Sequence, residues 1–408
     1  MIKKLLIIGF VWPEPKSSAA GSRMLQLIEQ FQNQNYRITF CSTANKSDNT
    51  FDLTQIGVTT ESIILNDSSF DGFVKKLNPD IVLFDRFMTE EQFGWRISEQ
   101  CPNTIRILDT EDFHGLRKGR ELAIKANEDF SIEYLQNDVT KREITSIYRC
   151  DLSLIISKFE MDLLINDFEI SEDLLLYLPF LIDGPSSKEK ESLPNFKQRQ
   201  NFIIIGNFLH APNYDSILYL KQSIWPLIRK ELPETELHIY GAYESQKVLQ
   251  LNNSKEGFII KGFAEDVNTE MQKSRVCLVP LRFGAGLKGK VFDAFKNGTP
   301  CVMSSIASEG IIENSELIQN NPKQYANKAI EFYTNIDSWN HAQEIGFNTL
   351  KVQFTKVVFV EKFRMKLTSL QKALPTHRQN NFIGQILMHQ TMQSTKYMSK
   401  WIEEKNKN

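Results

Sequence analysis

Two lysines, Lys288 and Lys290, stand within a run of closely spaced glycines, Gly284, Gly286 and Gly289, and Asp293 follows shortly after. Glycines leave backbone N–H groups free to approach a ligand closely, and cationic side chains at a helix start add to the positive end of its dipole. Both features suit an anion, and a diphosphate fits best. Asp293, about one turn into the expected helix, offers a carboxylate to the hydroxyls of a ribose. Together these residues point to a nucleoside diphosphate.

The elements that must hold this constellation are legible around it. The apolar run 276–281 reads as a strand ending at Arg282, the glycines as a loop, the stretch from Lys290 as a helix, and 300–303 as the next strand. The same alternation recurs upstream, with strands expected at 202–206, 237–241 and 257–260, and in the first half at 4–9, 37–41, 81–85, 104–108 and 152–157. Between the first two strands, Met24, Leu27, Ile28 and Phe31 repeat at helical spacing. Continuous apolar strands separated by helices imply parallel sheets covered on both faces. The fold class is therefore α/β, with two Rossmann-like domains facing a central cleft.

A polar stretch rich in turn formers, 183–195, marks the join. The expected division is 1–183 for a first domain that binds the acceptor, 184–200 for a linker, 201–375 for a second domain that binds the nucleotide, and 376–408 for a helical tail. Trp401 and Ile402 are placed to dock, with the last residues solvated.

Composition narrows the function. With 408 residues, 41% hydrophobic and 24% charged, and a formal net charge of -2, the chain has no basic excess for nucleic acid. The apolar opening is too short for a secretory signal and reads as a buried strand, and no run reaches the roughly 18 apolar residues that span a bilayer. Five scattered cysteines lack metal-type spacing and fit a reducing cytoplasm. The first strand runs into Phe10-Val11-Trp12-Pro13 rather than a dinucleotide fingerprint, and no P-loop occurs.

In its order of Ile205-Gly206-Asn207-Phe208, Pro212-Asn213-Tyr214-Asp215, Trp225-Pro226, the glycine-rich loop, Asn297-Gly298-Thr299-Pro300 and Glu309-Gly310, the second half resembles a GT-B fold glycosyltransferase of the family 4 type, glycosyltransferase group 1. The first half is similar more loosely, through 13–21, 108–117, Ser157 and Glu160, and Leu178-Pro179.

The resemblance implies a retaining transferase that moves a sugar from a nucleoside-diphosphate donor to a glycan, glycolipid or other acceptor. It needs no metal and no cofactor besides the donor, and any membrane contact is peripheral, at the inner face. Members of the family use two carboxylates eight positions apart; Asp293 matches the second and Ala285 the first. Members also place an arginine and a lysine on the diphosphate after the first strand of the second domain, a pair absent from Asn207 to Asp215 here.

The diphosphate charge then falls to Lys290, with Lys288 as substitute. His114, in a loop expected at the cleft and crowded by Asp109, Glu111 and Asp112, is the candidate for a contact to the donor sugar or leaving group. His114 and Lys290 are the expected catalytic residues. Gly21, Arg23, Gly206, Gly286, Lys288, Asp293 and Glu309 are expected to bind substrate, while His210 reads as a solvated loop residue. The alternative is a GT-B protein that binds a nucleotide sugar without transferring it.

Overall fold

The computed structural model describes residues 2–407, with the side chains of residues 390–392 left aside. The first sheet contains β1 (Lys3–Gly9), β2 (Tyr36–Ser42), β3 (Thr59–Ser62), β4 (Ile81–Asp85), β5 (Ile105–Asp109), β6 (Leu152–Ile155) and β7 (Leu175–Tyr177). They lie in the order β3-β2-β1-β4-β5-β6-β7 with every pairing parallel. Leu5 to Ile8 are buried because helices cover both faces of this sheet, which is why its strands read as unbroken apolar runs. Those helices include α1 (Ala19–Asn33), α2 (Ser69–Leu77), α3 (Phe87–Gln100), α4 (His114–Ala126), α5 (Asp138–Arg149) and α6 (Lys158–Asn166).

After a short α7 (Ser187–Ser192) the pattern restarts. β8 (Gln200–Ile205), β9 (Leu237–Tyr240), β10 (Phe258–Gly262), β11 (Ser274–Val279) and β12 (Cys301–Met303) form a second parallel sheet in the order β10-β9-β8-β11-β12. Around it stand α8 (Ala211–Tyr219), α9 (Trp225–Glu231), α10 (Gln246–Leu249), α11 (Val267–Lys273), α12 (Gly289–Lys296), α13 (Ser305–Ser308), α14 (Pro322–Thr334) and α15 (Ile336–Gln353). In each sheet the first strand of its domain is flanked by neighbours on both sides, so β1 with β4 and β8 with β11 form the switch points where such folds bind ligands. The chain has the α/β, two-domain GT-B architecture.

The far end of the chain departs from the expected division. α16 (Lys356–Asn380) and α17 (Phe382–Asn406) pack on the first domain, although 356–375 was assigned to the second. Phe359, Phe363, Leu367 and Leu370 recur on one face of α16 and join the core of the first sheet, where Phe363 meets Phe31 edge-on at 5.3 Å. An amphipathic helix announces its apolar face in sequence but not which sheet that face will cover. α16 loses helical geometry at Ala373, just ahead of Pro375, whose ring disfavours helical conformation in the preceding turn. α17 docks on the first domain, where Arg96 reaches Glu403 at 3.7 Å and Ser68 N–H donates to the same carboxylate at 3.1 Å, while residues 404–407 are exposed as expected. Trp401 stays largely exposed, and Asn408 lies outside the described residues.

Candidate active site

A cleft of about 1280 Å³ runs between the two domains, lined by the carboxyl ends of β1, β4, β8, β9 and β11 and by the loops that follow them. Its second-domain wall is built on the glycine-rich loop. Gly286 has φ +65°, and a Cβ there would fall 2.7 Å from Cβ of Asp112 in the first domain. Only glycine satisfies both the backbone and the close approach.

Lys288 caps α12, and its ammonium donates to the carbonyls of Ala285 at 3.0 Å and Gly286 at 2.5 Å. Burial lowers its pKa. Lys288 thus lines the cleft but spends its hydrogen bonds pinning the loop rather than facing a ligand. Lys290, in the first turn of α12, also lines the cleft and donates to Asn213 Oδ1 at 2.6 Å. Burial brings its pKa down to about 8. Its hydrogen-bond partner is a neutral amide, and Asp293 is the carboxylate whose charge it feels.

Gly206 lies beneath this pair, since a Cβ there would stand 2.8 Å from the Asn213 amide and 2.9 Å from the Lys290 ammonium. Asn213, quoted in sequence only as part of a motif, is thereby a member of the site. Asp293 lines the same wall, and burial lifts its carboxyl to about 6 against the opposing pull of Lys296 and Lys290.

The first-domain wall comes from the ends of β4 and β5 and the start of α4. Arg86 and Glu111 hold positive φ, 70° and 63°, in backbone regions that residues with side chains rarely occupy. Both line the cleft, where such strain tends to collect. Burial, with Asp109 next, pushes the Glu111 carboxyl up to about 8.

His114 Nδ1 lies 2.9 Å from the Asp112 carbonyl oxygen and 3.4 Å from carboxylate oxygens of both Asp112 and Glu143. Burial opposes the imidazolium, but these two acids outweigh it and raise the pKa. The charged form is favoured, as expected, with Asp112 and Glu143 rather than Asp109 and Glu111 as the nearby acids. His210 also lines the cleft.

Three expected contacts are engaged elsewhere. Arg23 is buried and turned away, donating through Nη2 to Asp109 Oδ1 at 2.8 Å and through Nη1 to the Leu178 carbonyl at 2.7 Å. It neutralises Asp109 inside the fold. A Cβ at Gly21 would lie 2.4 Å from the Glu14 carbonyl carbon, so this glycine lets α1 pack against its own preceding loop rather than a ligand. Glu309 receives both terminal nitrogens of Arg120, at 2.8 and 2.6 Å, which ties it into a bridge between the domains.

Glu160 forms a second such tie. Its Oε1 accepts from Phe113 N–H at 3.0 Å and, across the cleft, from Gly286 N–H at 2.6 Å. One loop N–H expected for a phosphate is thereby taken by a carboxylate. Glu160 follows Ser157 at the spacing of a capping box, yet Ser157 makes no side-chain cap bond. Among the described residues no group of three or more His, Cys, Asp or Glu is placed to hold a metal ion, and no helix is long and apolar enough to cross a membrane.

Comparison with known proteins agrees with this geometry. Residues 199–335 match the family model described as glycosyl transferases group 1. A curated relative, a 44.6 kDa protein in the cps region of Klebsiella pneumoniae, is 27% identical over 228 residues, 53% of this chain. The match spans about half of that relative's length, 54%.

Among solved structures, TarM of S. aureus superposes with TM-score 0.68 at 9% identity, over 90% of this chain and 99% of its own. Sucrose-phosphate synthase of Thermosynechococcus elongatus gives 0.67 at 14%, over 91% and 100%. HepE of Anabaena, solved in complex with UDP-glucose, gives 0.65 at 12%, over 90% and 100%. The chain has the fold of GT-B glycosyltransferases, and its residues 199–335 match the model of the glycosyl transferases group 1 family.

Proposed function

We propose that the protein transfers a sugar, with retention of anomeric configuration, from a nucleoside-diphosphate sugar to a hydroxyl of a glycan or glycolipid. The observation that carries this reading is Lys290, a half-buried cation on a neutral hydrogen-bond partner, facing the interdomain cleft from within the matched segment. Asp293 is the carboxylate for the ribose, and Gly206 lets the chain pass close beneath the diphosphate.

In this reading the bond between the sugar's anomeric carbon and the departing phosphate oxygen breaks as the acceptor oxygen bonds to the same face. The acceptor's proton passes to the leaving diphosphate. Lys290 and backbone N–H groups of the loop stabilise the charge that develops there, without a metal ion. His114, in its imidazolium form, donates a hydrogen bond to the donor sugar or leaving group.

Ala285, where the resemblance implies a carboxylate, packs into the first-domain core, so sugar recognition rests on the opposite wall. A glycolipid acceptor would bring the chain to the inner membrane surface peripherally. The five cysteines, all free and buried, suit a reducing cytoplasm.

The test is thermal stabilisation against UDP, GDP, ADP, dTDP and their sugars, with NAD and ATP as controls, followed by turnover and the configuration of the product. A shift with one nucleoside diphosphate plus a retained product is the expected result. Binding without turnover would leave a degenerate binder, and a shift with NAD or ATP alone would overturn the reading.

A further inference from the structure

We propose that Arg117, from the first domain, supplies across the cleft the diphosphate cation that the second domain lacks. The donor is then gripped between Arg117 on one wall and Lys290 on the other. This inference rests on the nucleoside-diphosphate reading above and adds a residue and a mode of binding to it.

The argument begins with spacing. His114, Arg117 and Arg120 fall three residues apart along α4, which places them in a row on one helix face. That face is turned to the second domain: Arg120 donates to the Gly284 carbonyl at 2.8 Å and to Glu309, while His114 and Arg117 line the cleft. Arg120 is thus committed to the protein on both sides.

Arg117 is not. Its guanidinium has a single partner among the described residues, Asp112, and Asp112 is shared with His114 at 3.4 Å. A guanidinium carries five donors in a planar fork suited to phosphate oxygens, so most of them remain for a ligand. The side chain keeps 25% of its surface open.

The opposite wall offers the complementary vacancy. Between Asn207 and Asp215 there is no lysine or arginine; Asn207, Leu209, His210, Pro212 and Asn213 line the cleft. Arg117 stands close enough to His210 for its charge to depress the imidazole's pKa, after desolvation and with Lys290 and Lys288, against the opposing pull of Asp112. Positive charge from both domains therefore converges beside the first turn of α8. Gly286 abuts Asp112, which keeps the glycine-rich loop against the same guanidinium. A diphosphate there would bridge the walls, so binding the donor and holding the cleft closed become one event.

The experiment is calorimetric titration of wild type and Arg117→Gln with UDP, GDP, ADP and dTDP, each against its nucleoside monophosphate. The expected result is a loss of about tenfold to a hundredfold in diphosphate affinity, the scale of one charged hydrogen bond, with the monophosphate much less affected. Arg117→Lys should recover part of the loss, and it carries the test alone if the glutamine variant does not fold. Equal losses for mono- and diphosphate, or none, would make Arg117 a structural partner of Asp112 and overturn the proposal. If wild type binds no nucleoside diphosphate, the donor reading itself falls and takes this inference with it.

Discussion

The two walls of the cleft are built on opposite plans. The second-domain wall draws most of its charge from one contiguous segment, 284–293, and leaves Lys290 facing the neutral amide of Asn213. The first-domain wall assembles groups from the ends of β4 and β5 and from α1, α4 and α5, and most of its charges already answer one another. Arg23 with Asp109, Arg86 with Asp85 at 3.8 Å, and His114 between Asp112 and Glu143 are examples. One wall keeps Lys290 in reserve for a ligand, while the other, Arg117 apart, uses its charges to hold its own shape.

Substitutions should separate the two plans. Arg23→Ala, which strands Asp109 inside the first domain, is expected to destabilise the fold by about 3–5 kcal/mol in denaturant titration. Retained stability would break the contrast. Lys290→Ala should cost about 3–4 kcal/mol in transfer rate, with a parallel loss of diphosphate affinity and only a minor change in stability. A variant that melted early instead would put Lys290 on the structural side.

His114→Ala should lower turnover by about a hundredfold, the range of a positioned proton donor, while diphosphate binding measured by calorimetry persists. Full activity would return His114 to a helix-start residue.

A pH-dependent test concerns Glu160. Burial pushes its carboxyl up to about 7, against 4.5 ordinarily, so the folded protein holds a proton that the unfolded chain releases. Stability from this group is complete below about 4.5 and is lost as pH rises through about 7. Glu160→Gln keeps an oxygen for the Phe113 and Gly286 N–H groups but cannot ionise. The stability of wild type relative to this variant should therefore fall by roughly 3 kcal/mol as pH rises across that window. Parallel pH curves for the two proteins would refute it.

The same contrast explains what was legible in the sequence. Strands buried on both faces leave continuous apolar runs, and β9 and β10, half-buried on one face, keep enough apolar residues, so β1, β2, β4 to β6 and β8 to β12 were all visible. β3 was not, because Thr59, Thr60, Glu61 and Ser62 form a polar, largely exposed edge. The glycine-rich loop was readable because its residues are neighbours in the chain.

Glu160, Arg120 and Asn213 were not read as site residues, since a side chain that reaches another element leaves no periodic trace of its target. Gly21 shows the limit of glycine as a signal. It reports that something comes close to the backbone, and here that is the carbonyl of Glu14. Arg23 was misread for a related reason: its position near a helix start gave no hint of the buried Asp109 waiting above it.

The return of α16 to the first sheet also bears on how the chain folds. Ile182 and Thr355 form a parallel bridge, so the strand of chain leaving the first domain and the one re-entering it run side by side. The second domain is in effect inserted between them. During synthesis, the first domain exposes the surface that Phe359, Phe363, Leu367 and Leu370 will cover until those residues emerge, long after Phe31 has been made. The inserted domain has its last core residue, Phe354, ahead of all four of them and can close its core earlier. The later half of the protein is thus positioned to fold first, and the earlier half is finished last.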